Sequence, residues 1–264
     1  YFWQLYEGIS EAAKIYGVSL VGGDLCSSRT DIVLSATVIG NAERVITRGT
    51  ASVGEKIYVT GNIGDSACGL AILKNLTEGS KEVVKSYLMN EYENKTQDEI
   101  LTLISSDSVS LDITEPLIKR HLMPVARNLE EIAPYITSMI DISDGLFIDL
   151  YRLCDESNVG AKIYFDNIPL SDQVLKMSEI LQIELSSIIS GGEDYEILFT
   201  APKNVSFPSL IFNNCPITGK VLSTAKITCI GEIITKEEGM IMIDKNGQSS
   251  AIKIKGYQHF LSER

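Results

Sequence analysis

"MIDISDGLFIDL", residues 139–150, is the stretch on which the reading of the whole chain turns. An apolar run, Met139-Ile140-Asp141-Ile142, is broken by an acid, then Ser143-Asp144-Gly145 intervenes and the apolar pattern resumes with helical spacing. The first part predicts a strand. Its period of two sets Asp141 on the face opposite Ile140 and Ile142, near the strand's C-terminal end, where open α/β sheets present ligand-binding groups. The second part predicts a helix from Leu146 to Leu153, with residues 146, 150 and 153 as its apolar stripe and Ser143 or Asp144 as its N-cap. Capping accounts for Asp144. It leaves Asp141 unexplained, since an ionised carboxylate in an apolar strand costs on the order of several kcal/mol unless paired or metal-bound.

Two other places repeat the pattern. In "VSLVGGDL" a short strand, Val18 to Val21, runs into Gly22-Gly23-Asp24, and in "SGGEDYEIL" Gly191-Gly192 precede Glu193 and Asp194 before a strand from Tyr195 to Thr200. Each alone reads equally well as an ordinary acidic turn. Three such loops together point to one shared acidic site. Two unit charges 4 Å apart repel by roughly 4 kcal/mol at an effective dielectric of about 20, so gathered carboxylates need cations or protons. Hard oxygen ligands favour magnesium or manganese over zinc, and magnesium keeps waters and bridges to phosphates. The chain holds no G-x-x-x-x-G-K-[ST], no strand-associated G-x-G-x-x-G, no H-E-x-x-H and no G-x-S-x-G, and its two histidines are His121 and His259. The residues therefore indicate a metal–nucleotide site without a P-loop.

The remainder of the chain bounds this reading. Its 264 residues, 44% hydrophobic and 22% charged, suit a soluble protein of one large or two modest domains. A net charge of −12 lacks the basic footprint that nucleic-acid binding requires, so an anionic substrate needs local cations. The five cysteines are scattered without a C-x-x-C pair, which predicts reduced, mostly buried thiols in a cytoplasmic protein. No apolar run is long enough to span a membrane. Apolar residues at 2, 5, 6, 9, 12, 13 and 16 predict a helix ending at Gly17, and because it starts without Met or N-cap the chain is expected to begin inside an element. "DIVLSATVIGNAE" reads as a second strand and "RVITRGTASVGEK" as a connection, which sets the expected domains at 1–43 and 44–264. Beyond it, "KIYVTG" predicts a strand, Gly61 and Gly64 lead into a helix capped by Asp65 or Ser66, residues 81–113 a polar helical excursion, and 171–182 a helix. "KITCIGEIITKEEGMIMIDKNGQ" predicts strands around glycine turns. The alternation predicts α/β or α+β layering.

"LVGGDL", "ITRGTASVGEKIYVTGNIGDSACGLAIL", "RHLMPVAR", "MIDISDGLFIDL", "SGGEDYEILF" and "GYQHF", in that order, resemble the thiamine-monophosphate kinases. The resemblance spans almost the whole chain and fits least well over 81–113. It implies the fold of the aminoimidazole ribonucleotide synthetase superfamily: the C-terminal part of an N-terminal α/β dimerisation domain, then a larger α/β C-terminal domain. It also implies ATP-dependent conversion of thiamine monophosphate to thiamine diphosphate with Mg²⁺, in a homodimer formed through the N-terminal domain. By motif, Gly23, Arg48 and Ser143 resemble the ATP contacts, Asp24, Asp141 and Asp144 the metal ligands, and Glu193 and Tyr257 the thiamine phosphate contacts. No catalytic side chain is implied beyond metal and positioning. The family's earlier Gly-Asp-Asp motif is not among these residues. A sibling ATP-dependent enzyme of the superfamily, or a non-catalytic nucleotide-binding fragment, are the alternative readings.

Overall fold

A computed structural model describes residues 2–75, 111–214 and 221–254. Contacts divide the chain into two units, residues 1–45 with 212–224, and residues 46–211 with 225–264.

The first unit carries helix α1, Phe2–Tyr16. It ends as the spacing predicts, at Gly17, whose φ of 65° admits the left-handed turn that lets the Val18 N–H reach back to the Ala13 carbonyl at 2.8 Å. The strands expected at 18–21 and 31–43 are not formed. Residues 18–45 have neither helix nor strand and leave Val21, Val33, Val38 and Ile39 exposed. A strand is stabilised by its ladder and its buried face, and among the described residues none pairs with this segment.

The second unit is a layered α/β structure. The strands are β1 (Lys56–Thr60), β2 (Ser138–Ile142), β3 (Gly160–Tyr164), β4 (Glu196–Ala201), β5 (Leu210–Asn214), β6 (Val221–Ile234), β7 (Met240–Ile243) and β8 (Ser249–Ala251), of which residues 212–214 of β5 and 221–224 of β6 are counted with the first unit. They form one sheet in the order β2-β4-β1-β6-β3-β7-β8, with β5 paired to β6. β3 and β7 run parallel, whereas β2–β4, β4–β1, β1–β6, β6–β3 and β7–β8 are antiparallel. The helices are α2 (Asp65–Asn75), α3 (Leu111–Leu122), α4 (Leu146–Ser157), α5 (Asp172–Leu181) and α6 (Leu185–Ile189).

Strand alternation builds a core on each face of the sheet. Ile57, Val59, Ile142, Ile163 and Leu198 point toward one side, where α4 lays down Leu146, Leu150 and Leu153, all fully buried as their spacing predicts. Tyr58 and Phe199 point to the other side, stacked at 5.3 Å, with Phe207 edge-on to both and Ile132, Ile136, Ile211 and Ile227 around them. A third cluster joins α2, α3 and α5 through Cys68, Ile72, Leu117, Ile118, Val174 and Met177. The four described cysteines are free thiols; Cys68 and Cys154 are buried, Cys26 is exposed and Cys229 lies between, while Cys215 falls outside the described residues. Because β2 is an edge strand, the loop that follows it lies at a corner of the sheet beside the loop that leads into its neighbour β4.

Candidate active site

The loop after β2 is organised from inside the following helix. Gly145 stands at the helix N-terminus with a φ of 125°, and a β-carbon there would lie 2.3 Å from the Ser190 carbonyl oxygen, so both conformation and space demand glycine. Neither Ser143 nor Asp144 caps the helix, contrary to expectation. Asp149, in the first turns of α4, instead reaches back with Oδ2 to accept the N–H groups of Ser143, Asp144 and Gly145 at 3.1, 2.9 and 3.2 Å. One buried acceptor thus ties down three consecutive N–H groups of the loop ahead of the helix, and the N-cap itself makes no side-chain hydrogen bond. Asp144, relieved of capping, pairs with Arg152, whose Nη1 also donates to Asp149 Oδ1 at 2.6 Å. Burial raises the pKa of Asp149; the backbone N–H donors and the Arg152 guanidinium oppose that rise.

The Asp141 side chain is exposed near the end of β2, with no hydrogen bond or ion pair among the described residues, while its backbone lies in the ladder with β4. Desolvation therefore bears on other acids. Asp149, Asp194 and Glu196 are the buried carboxylates here, at 0%, 0% and 1% exposure. Sequence reading stressed Asp141 because strand periodicity gives a face but not what covers that face.

The second acidic loop is fastened to the first by its backbone. The Glu193 N–H donates to the Ser143 carbonyl and the Tyr195 N–H to the Ile142 carbonyl, both at 2.8 Å. Glu193 and Tyr195 take left-handed φ values of 69° and 48°, conformations that cost non-glycine residues energy and persist here between fixed neighbours. Gly192 permits the approach, since a β-carbon would stand 2.4 Å from the Ser143 carbonyl oxygen. Between them Asp194 turns inward and accepts the Gly64 N–H at 2.7 Å and the Ser66 N–H at 3.1 Å, closing the start of α2 from a distant part of the chain. The helix was expected to be capped by Asp65 or Ser66; Asp194 is instead the acceptor at its start. Burial pushes Asp194 up to about 7 against the pull of those two N–H groups.

Two arginines of "RHLMPVAR", unassigned by sequence reading, lock the start of β4. Arg127 grips Glu196 with Nε at 2.7 Å and Nη2 at 2.5 Å, Arg120 Nη2 reaches Glu196 Oε1 at 2.5 Å, and Thr60 Oγ1 donates to Oε2 at 2.6 Å. Arg120 also donates to the Asp194 carbonyl. His121 Nδ1 lies 2.9 Å from Ser66 Oγ and 3.4 Å from Glu193 Oε2, so the half-exposed Glu193 carboxylate borders this buried network. The available signal was the spacing of two arginines against an acid-rich loop. Their pairing needed the fold.

Of the residues singled out from sequence, Asp141, Ser143, Asp144 and Glu193 come together. Arg48 does not join them: it pairs with Glu156 at 3.1 Å, and its carbonyl accepts from Ser157 Oγ, at the C-terminal end of α4. At 1.5 Å rise per residue, that is about 16 Å along the helix from Gly145. Gly23 and Asp24 belong to the first unit, where Asp24 bonds its neighbours Leu25 and Cys26. Tyr257 lies outside the described residues. Among the described residues no group of three or more His, Cys, Asp or Glu side chains could enclose a metal ion. The donors at the corner, one open carboxylate on Asp141 and one on Asp144 shared with Arg152, suit a hard cation held mainly by phosphate oxygens and water, not one caged by protein. No described helix is long and apolar enough to cross a membrane.

The family model described as AIR synthase related protein, C-terminal domain, matches residues 52–246, and its N-terminal counterpart matches residues 1–42. The chain belongs to the AIR synthase related family. The mixed α/β sheet described above is that family's fold. Within the family it is similar to thiamine-monophosphate kinase of Buchnera aphidicola subsp. Schizaphis graminum, 33% identical over 93% of this chain and 65% of that one. It is 32% identical to thiamine-monophosphate kinase of Escherichia coli K12, over 96% of this chain and 67% of that one. A solved structure of AaThiL complexed with AMPPCP and TMP superposes with a TM-score of 0.56 at 27% identity, covering 83% of this chain and 55% of that one. The chain thus spans slightly under two thirds of the Buchnera relative.

Proposed function

We propose that the protein phosphorylates thiamine monophosphate to thiamine diphosphate with ATP and Mg²⁺, by direct in-line transfer. The observation that carries this reading is the backbone stitching of the two acidic loops, which sets Asp141, Ser143 and Asp144 beside Glu193 in a chain related to thiamine-monophosphate kinases. In this reading Asp141 and Asp144 hold Mg²⁺, Ser143 touches ATP, and Glu193 orients the thiamine phosphate. The similarity to a protein complexed with AMPPCP and TMP supports a nucleotide and a phosphate-bearing acceptor at one site. Gly23, Asp24, Arg48 and Tyr257 enter the reading through the resemblance of their motifs. So do the division at 43/44, a homodimer formed through the N-terminal domain, and a cytoplasmic location.

The chemistry asks little of general bases, because the accepting phosphate oxygen is already anionic at neutral pH. What it requires is alignment and neutralised charge. Mg²⁺, when bound, supplies the neutralisation. The chain's own residues supply alignment: Glu193 is held by its backbone to Ser143, and Ser143 and Asp144 are held in turn by Asp149. The test is chromatographic assay of the full-length protein with thiamine monophosphate, ATP and Mg²⁺. Thiamine diphosphate should form, and Asp141→Asn should lower turnover by about 100-fold or more, the scale of losing one charge-stabilising group, with an unchanged melting temperature. Absence of thiamine diphosphate at saturating substrates would rule the reading out.

A further inference from the structure

We infer that Asp149 is a positioning residue for the acidic loop: it engages the N–H groups of the loop just ahead of α4 and so leaves this loop to receive a cation through its side chains, Asp141 and Asp144 above all. The inference rests on the metal–nucleotide reading above.

Consecutive backbone N–H groups in a turn ordinarily make an anion-binding concavity, and residues 143–145, just ahead of α4, offer three of them. Asp149 is fully buried, and its Oδ2 accepts three consecutive N–H groups, those of Ser143, Asp144 and Gly145, at 2.9 to 3.2 Å. A phosphate oxygen arriving there would find those donors taken and a carboxylate behind them. The carbonyl side of the loop is taken as well, because Ile142 and Ser143 accept from Tyr195 and Glu193. With peptide groups engaged on both sides, the side chains of Asp141, Ser143 and Asp144 are what the loop has left to offer a ligand, and the two carboxylates are its cation-binding groups.

The other oxygen of Asp149 sets Asp144 through an intermediary. Oδ1 accepts from Arg152 Nη1 at 2.6 Å, and the same nitrogen donates to Asp144 Oδ2. One guanidinium thereby offsets the repulsion between two neighbouring carboxylates and orients the outer one. Asn at 149 keeps the shape but brings an NH₂ that cannot accept, and its single oxygen cannot serve both the three N–H groups and Arg152.

The experiment is a titration of the full-length protein and its Asp149→Asn variant with Mn²⁺ in the presence of ATP, following loss of the free Mn²⁺ electron-spin signal. Amide hydrogen exchange at residues 143–145 and the metal-free melting temperature are measured alongside. Mn²⁺ should bind the variant about 10- to 100-fold more weakly, the usual loss when a group that orients a metal ligand is changed, with faster exchange at the three amides. A lower melting temperature with unchanged Mn²⁺ affinity would overturn the inference, leaving Asp149 a purely structural anchor. Should the variant fail to fold, exchange in the unaltered protein decides: the three amides should be protected without metal, and rapid exchange would overturn the inference. If the unaltered protein takes up no Mn²⁺ with ATP, the metal–nucleotide reading itself fails; if both proteins bind equally, only the role of Asp149 does.

Discussion

Residues 21–25, "VGGDL", and residues 190–196, "SGGEDYE", share a sequence grammar: two glycines and then acid beside an apolar stretch. Their structures differ completely. At Gly23-Asp24 the chain is exposed and the carboxylate bonds its own neighbours, Leu25 and Cys26. At Gly192-Glu193-Asp194 the backbone is fastened to residues fifty positions earlier, and Asp194 is buried against the start of α2. The difference teaches that a Gly/Asp loop is only permissive. What gives it one conformation is the set of donors and acceptors that the rest of the fold brings to it.

The sharpest way to break that contrast is to remove the anchor of the ordered loop. Arg127→Ala should destabilise the protein by about 3–5 kcal/mol in denaturant unfolding, since it leaves the 1%-exposed Glu196 short of a partner. A loss no larger than that of a surface substitution would mean Arg120 and Thr60 suffice. Next comes the glycine that permits the loops to meet. Gly192→Ala should cost about 1–3 kcal/mol through overpacking against the Ser143 carbonyl, measured by the same melts; a neutral result would show that the loops part easily.

A third expectation concerns pH. Burial leaves Asp194 with a pKa of about 7, above its unfolded value, so the folded state holds that proton more tightly. Its contribution to stability is fully present below about pH 4 and is lost as pH rises toward 7. Glu232 behaves oppositely. Lys162 and Lys56, each 3.0 Å away, hold its pKa down to about 2, so its contribution is present above the unfolded value and is lost as pH falls toward 2. In melts between pH 4 and 7, Asp194→Asn should flatten a slope of at most about 1.4 kcal/mol per pH unit, whereas Glu232→Gln should lower stability there without changing the slope, which it should alter only in more acid solution. The smallest effect belongs to the unanchored loop: Gly22→Ala, with nothing within 4 Å of its new methyl, should change stability by no more than about 0.5 kcal/mol. A loss matching that of Gly192→Ala would erase the contrast.

Much of the second unit was legible along the chain. The strand at 138–142, the buried stripe of α4, helix α5 and the strands around Gly239 and Gly247 follow from apolar periodicity and turn residues that act over a few positions. Corner residues Asp141, Ser143, Asp144 and Glu193 were also legible, because their loops carry glycines where close approach is needed. The strands expected at 18–43 were not formed, since apolar alternation states a preference for a ladder without supplying one.

Local pattern by itself determined which residues alternate, where helices start and stop, and that several acids lie beside glycines. It could not determine that Asp149 fastens the loop ahead of α4, that Asp194 closes α2 from 128 residues away, that Arg48 stands with Glu156 at the far end of α4, or that Arg120 and Arg127 converge on Glu196. Only the tertiary structure decided these. A buried carboxylate takes whichever donors the packed chain delivers to it, and the desolvation that makes those partners obligatory arises only once the sheet and helices have excluded water.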